Sequence, residues 1–136
     1  SIYLKPTQFV LGIGCRRDTA FENIDRAIRQ SLLKLQIDIS DIDMIASIDV
    51  KKDEPGIKEF CERNRIDFVT YTADELMAVQ GEFSASQFVS EHVGVDNVCE
   101  RAAVLACSRE CNKAGKLVYK KHKYDRVTVA AARYPD

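Results

Sequence analysis

The chain has 136 residues, 46% of them hydrophobic and 30% charged, with a formal net charge of −1. That length suits one domain with its own core, and the composition excludes a disordered tail. A near-neutral balance argues against duplex nucleic acid as a partner, and no apolar run is long enough to suggest a membrane span.

Phe9 to Ile13 is an apolar run that reads as a buried strand. It leads into Gly12-Ile13-Gly14-Cys15-Arg16-Arg17, which reads as a tight glycine turn and a helix entrance facing an anionic ligand. Thr19-Ala20-Phe21-Glu22 has the capping-box pattern, with Thr19 as N-cap. Phe21, Ile24, Ile28, Leu32 and Leu35 follow at helical spacing, so one face of this helix packs on a sheet. A polar connection from Asp38 to Asp43 precedes a second buried strand, Met44 to Val50. Pro55 suits the first turn of a helix carried on by Ile57, Phe60 and Cys61. Asp67 to Tyr71 is a third strand, and Thr72-Ala73-Asp74-Glu75 is a second capping box, opening a short helix through Met77 and Val79.

Gly81 to Ser86 reads as a loop, Ser86 to Val93 as helical, and Gly94 as its stop. Val98 to about Cys111 is an Ala-rich helix in which Ala102, Ala103 and Ala106 permit close packing. Lys116 to Tyr119 and Arg126 to Ala132 are strands whose short link implies antiparallel pairing. The order, approximately βαβαβααββ, predicts a three-layer α/β/α sandwich with a mostly parallel, mixed sheet of about five strands. With no repeat, linker or low-complexity tract, residues 1–136 read as a single domain. A start at Ser1 without Met, and without the basic cap and apolar stretch of a leader, reads as a cytoplasmic segment cut from a longer protein.

In open α/β sheets ligands bind beyond the carboxyl ends of the strands. That rule collects Gly14, Cys15, Arg16 and Arg17 after the first strand, and Asp49, Lys51 and Glu54 after the second. Gly94, Val95, Asp96, Asn97 and Glu100 stand around the start of the Ala-rich helix, and Lys120 and Lys121 follow the fourth strand. Two guanidiniums beside glycines favour carboxylate or phosphate. Cys15, near a helix start and beside Arg, has conditions that stabilise a thiolate, although no His stands in a partner motif. Each group also has a plainer reading: solvated arginines, an exposed Lys51–Glu54 pair, a Glu100 that complements a helix dipole, a hairpin tip kept soluble by Lys120 to Lys123. Five cysteines (Cys15, Cys61, Cys99, Cys107, Cys111) form no CxxC pair and read as reduced thiols. Neither His92 nor His122 is spaced from them like a metal ligand, so no protein-bound metal is expected. A third glycine of a dinucleotide fingerprint would fall at Arg17, and no Gly-Lys-Ser/Thr follows, so no nucleotide motif is completed.

Taken in order, several segments resemble one family: Gly12 to Arg17; Ala46-Ser47-Ile48-Asp49-Val50-Lys51 with Glu54; Ser86 before Phe88-Val89; Gly94-Val95 with Val98-Cys99-Glu100 and Ala102-Ala103; Leu117-Val118 with Lys121 before Thr128-Val129-Ala130. The chain is similar, over about residues 8 to 133, to the C-terminal domain family of CbiG proteins, related to the stand-alone CobE. It departs at Arg101, where the family usually has a small residue, and at Lys120, where a Pro is common. The resemblance implies a cobalt-precorrin-5A hydrolase of anaerobic cobalamin (vitamin B12) synthesis. Such an enzyme opens a δ-lactone on the macrocycle and releases acetaldehyde. It also implies a cobalt-precorrin substrate that carries its own cobalt, no protein-bound cofactor, and N-terminal and central regions of the same protein as partners. Gly12, Gly14, Arg16, Arg17, Lys51, Ser86, Gly94 and Lys121 are then candidates to hold substrate carboxylates and the flat ring. Glu54 and Glu100 are candidate bases, with Cys15 a weaker catalytic candidate. A non-catalytic corrinoid-binding or carrier module is the alternative.

Overall fold

The computed structural model describes residues 8–81, 83 and 97–135. The elements run β1 (Phe9–Cys15), α1 (Phe21–Leu35), β2 (Ile42–Ile48), α2 (Pro55–Asn64), β3 (Asp67–Tyr71), α3 (Ala73–Met77), α4 (Val98–Cys111), β4 (Lys116–Tyr124) and β5 (Val127–Arg133). The expected helix from Ser86 to Val93 and its stop at Gly94 lie outside the described residues.

Among the described residues five strands form one mixed sheet in the order β3-β2-β1-β5-β4. β1, β2 and β3 pair in parallel, while β5 runs antiparallel to both β1 and β4. Strand residues alternate between faces, and the buried residues separate accordingly. Leu11, Ile13, Ile45 and Val129 pack with Ile24, Ile28 and Phe60 of α1 and α2. Val10, Met44, Ala46 and Ile48 pack with Leu76 of α3 and Ala102, Ala103 and Ala106 of α4. The sheet therefore carries a helical core on each face.

Local chemistry explains most boundaries. Pro55 occupies the first turn of α2, where its missing N–H has no intrahelical partner to lose. Thr72 caps α3 as its sequence predicts: Glu75 N–H donates to Thr72 Oγ1 at 3.1 Å and Thr72 N–H to Glu75 Oε1 at 2.8 Å.

The capping box expected at Thr19 does not form. The N-cap of α1 is Ala20, and the Thr19 hydroxyl instead donates to Arg16 O at 2.6 Å, closing the turn after β1. β2 begins and ends two residues earlier than expected, because Asp49–Lys51 coil into a 3₁₀ turn. β4 extends to Tyr124, so the hairpin turn narrows to Asp125 and Arg126, the latter at φ 66°.

Candidate functional site

The first correction concerns Gly12 and Gly14. Both are strand residues of β1, and the chain turns only after Cys15, with Asp18 taking the positive φ of 59°. Gly12 is buried beneath α4, where a Cβ would stand 1.7 Å from Cys99 O and 2.7 Å from Cys99 C. Its lack of a side chain serves helix–sheet packing, which removes Gly12 from the ligand-facing surface. Gly14 lies one pleat further along on the same face, beside Thr128 of β5, whose Oγ1 would be 2.8 Å from an added Cβ.

α4 runs back along β1, with Cys99 over Gly12 and Cys107 reaching the backbone of Val10. Its N-terminus therefore points toward the carboxyl end of β1, as the sheet rule requires of a binding edge. The Cys99 thiol is pushed up to about 12 by burial, against a hydrogen bond from Thr128 that ties the first turn of α4 to β5. Glu100, fully buried, accepts from Lys121 N–H of β4 at 2.7 Å. Glu100 and Lys121, named separately from the sequence, are thus brought together, and Lys121 is half-buried.

The loop after β1 is held from two sides. Arg16 N–H donates to Arg126 O at 3.0 Å, and the Arg126 guanidinium donates to Arg17 O at 3.0 Å. From α2, the buried Glu54 carboxylate accepts Asp18 N–H at 3.2 and 3.3 Å and takes Lys51 Nζ at 3.7 Å. Glu54 and Lys51 therefore meet the Arg16–Asp18 loop, as the shared strand edge predicts, but the carboxylate is engaged by a backbone donor. Arg16 and Arg17 themselves are exposed.

Cys15 departs from its expectation. Burial raises its thiol above the ordinary value; the nearby Lys51 cation opposes this and the Glu54 carboxylate reinforces it. The neutral thiol is favoured, so the thiolate chemistry read from the sequence has no support here. Ser86 and Gly94 fall outside the described residues.

A cleft of about 300 Å³ opens at this edge, between Gly14, Cys15 and Arg16 on one side and Lys123, Arg126 and Thr128 on the other. Among the described residues three cations border it; of these Lys123 was expected only at a charged hairpin tip and Arg126 only in a strand, and neither was a site candidate from the sequence. The signal for them was the β5 pairing itself, since an antiparallel return of β5 along β1 sets Thr128 beside Gly14 and carries the hairpin turn with it. Among the described residues no group of three or more His, Cys, Asp or Glu is placed to hold a metal ion. No helix among them is long and apolar enough to cross a membrane.

The family model described as "Cobalamin synthesis G C-terminus" matches residues 9–132. A Methanocaldococcus jannaschii protein named "Probable cobalt-precorrin-5A hydrolase" is 32% identical over 97% of this chain and 42% of its own length. The cobalt-precorrin-5A hydrolase of Salmonella typhimurium is 37% identical over 75% of this chain and 29% of its own. The chain thus spans less than half of either relative. The crystal structure of CobE, a protein from the cobalamin (vitamin B12) biosynthetic pathway, superposes with a TM-score of 0.87 at 26% identity, covering 95% of this chain and 92% of that one.

Proposed function

This chain belongs to the cobalamin synthesis G C-terminus family, and on that premise we propose that it acts in cytoplasmic cobalamin biosynthesis as a domain of a cobalt-precorrin-5A hydrolase. Its role is to grip the carboxylate arms of the substrate while the δ-lactone is opened and acetaldehyde is released. The observation that carries this reading is the cleft where Gly14 and Thr128 meet, bordered by Arg16, Lys123 and Arg126. A precorrin is a flat apolar ring edged with acetate and propionate groups. A bare glycine lets a flat ring approach the backbone, and guanidiniums pair with carboxylates through two-pronged, charge-assisted bonds. A cleft of about 300 Å³ receives one edge of such a ring, not the whole of it. The remaining edge falls to the other regions of the protein.

Lactone opening requires a base, a positioned water and donors for the developing oxyanion. Glu54 and Glu100 each already accept a backbone N–H, from Asp18 and Lys121. In this reading they hold the Arg16 loop and the Lys121 strand in place. That same observation favours a second reading, a corrinoid-binding or carrier module without chemistry of its own. Titration of the chain with cobalt-precorrin-5A, followed by absorbance, tests the grip that both readings require, and assay of acetaldehyde released by a full-length relative with and without this domain separates them. Unimpaired acetaldehyde release without the domain selects the carrier. An absence of binding refutes both, and full turnover by a relative from which this domain has been deleted refutes the hydrolase role.

A further inference from the structure

The N-terminus of α4 holds a polar side chain left unsatisfied among the described residues. Asn97, the N-cap residue, is 5% exposed, and both its Oδ1 and its Nδ2 are buried with no hydrogen-bond partner among the described residues. Buried amides are almost always bonded, and an unbonded one carries its full desolvation cost. An N-cap Asn normally takes extended backbone and turns its side-chain oxygen onto the first-turn N–H groups. Asn97 does neither: it has φ 55° and ψ 57°, the left-handed region, and makes no side-chain cap bond. The first intrahelical bond is Arg101 N–H to Asn97 O, at 3.0 Å. By helix geometry the N–H groups of Val98 and Cys99 lie ahead of that bond with no intrahelical acceptor.

The position makes this more than an irregular cap. Cys99, two residues on, sits over Gly12 and bonds Thr128, so Asn97 lies at the Gly14–Thr128 end of the sheet. We infer that Asn97 and the first turn of α4 form a carboxylate subsite that takes one acetate or propionate arm of the tetrapyrrole. Asn97 Nδ2 and the leading N–H groups donate to the carboxylate, and the positive end of the helix dipole favours its charge. The inference rests on the tetrapyrrole reading above and adds to it a neutral, directional donor set distinct from the Arg16 and Arg126 cations.

The test uses ¹⁵N-labelled chain with two probes, coproporphyrin III, which bears four propionates and no lactone, and acetate. In the wild type, coproporphyrin should move the Asn97 side-chain amide and the Val98 and Cys99 backbone resonances together with those of Arg16 and Arg126. Asn97→Gly keeps the positive φ at low cost and removes the unpaired amide. It should keep or raise the unfolding midpoint while weakening coproporphyrin at least tenfold. Asn97→Asp, which adds a charge of the wrong sign, should weaken it further. A purely structural Asn97 gives the reverse pattern, a lowered midpoint with unchanged affinity, and overturns the subsite. So do shifts confined to Arg16 and Arg126, which leave the tetrapyrrole reading standing. Acetate shifts at Asn97 without any coproporphyrin binding would keep the carboxylate subsite and overturn the tetrapyrrole reading. No response to either probe overturns both.

Discussion

Gly12→Ala tests the packing that sets the whole site. The added Cβ would stand 1.7 Å from Cys99 O, 2.7 Å from Cys99 C and 3.1 Å from Ala103 N. All three are backbone atoms of α4, so no rotamer change relieves the clash, and the helix must retreat from β1 by more than an ångström. Ala102, Ala103, Ala106 and Cys107 are at most 1% exposed. A retreat would loosen all of their contacts together and pull Cys99 from Thr128. Inserting one carbon into a packed core costs about 1–3 kcal/mol, occasionally more. With a backbone obstacle the loss should be about 3 kcal/mol or more, against a total of about 5–15 kcal/mol for a typical domain. Gly14→Ala is the matched control, because among the described residues its close neighbour is the Thr128 hydroxyl at 2.8 Å, a group that can rotate away. It should cost less than about 1 kcal/mol, the range of surface and tolerated changes, yet obstruct the floor of the cleft and weaken corrinoid binding. Urea unfolding followed by circular dichroism measures both. A Gly12→Ala midpoint indistinguishable from wild type, or a Gly14→Ala loss equal to that of Gly12→Ala, would refute the assignment of Gly12 to packing and Gly14 to the cleft.

Arg16→Ala should weaken corrinoid binding by about 1.5–3 kcal/mol, the scale of a charge-assisted hydrogen bond, with little change in stability; Arg16→Lys should restore only part of it, and an Arg16→Ala titration matching wild type counts against the proposed grip. Glu54→Gln should lower stability by about 1–2 kcal/mol in urea, because it weakens the bond from Asp18 N–H and the Lys51 pair together; an unchanged midpoint means the loop stands without it. Cys61, Cys99 and Cys107 are pushed by burial from 9.0 to about 12. The folded chain thus retains protons that the unfolded chain releases, so this stability is complete below pH 9 and drains away as pH rises toward 12. Urea midpoints should fall between pH 8 and pH 10.5, and a flat profile would contradict the burial of these thiols.

The parts of the fold legible in the sequence are those whose cause is local. Pro55 opens α2 because a proline at the first turn loses no bond, and Thr72 with Glu75 caps α3 because both partners lie within one turn. The alanines of α4 announce close packing, and α4 runs over the residues expected of it. The Gly-x-Gly segment misled for the opposite reason. A glycine that turns the chain toward a ligand and one that lets a helix lie on a strand look alike within their own segment. What separates them at Gly12 is Cys99 O, from an element far along the chain. Thr19 shows the same limit, since its hydroxyl could accept from a first-turn N–H of α1 or donate to a nearby carbonyl, and it donates to Arg16 O, closing that turn instead of capping α1.

The candidate site divides along the same line. Sequence reasoning selected Arg16, Lys51, Glu54, Glu100 and Lys121 by residue type and by their place at strand ends, and parallel pairing of β1 with β2 does bring the first three to one edge. Residue type, however, says only that a carboxylate can act as a base. Whether it does depends on what faces it. Glu54 meets Asp18 N–H across 36 positions, and Glu100 meets Lys121 N–H across 21. Glu54 therefore fixes the loop that follows Arg16 and Glu100 fixes the middle of β4, each a few residues from the lining of the cleft. Asn97 is the converse case. Its chemistry is milder than that of either glutamate, but its amide is buried without a partner among the described residues, and an unsatisfied donor at a helix N-terminus gains a bond when a carboxylate arrives.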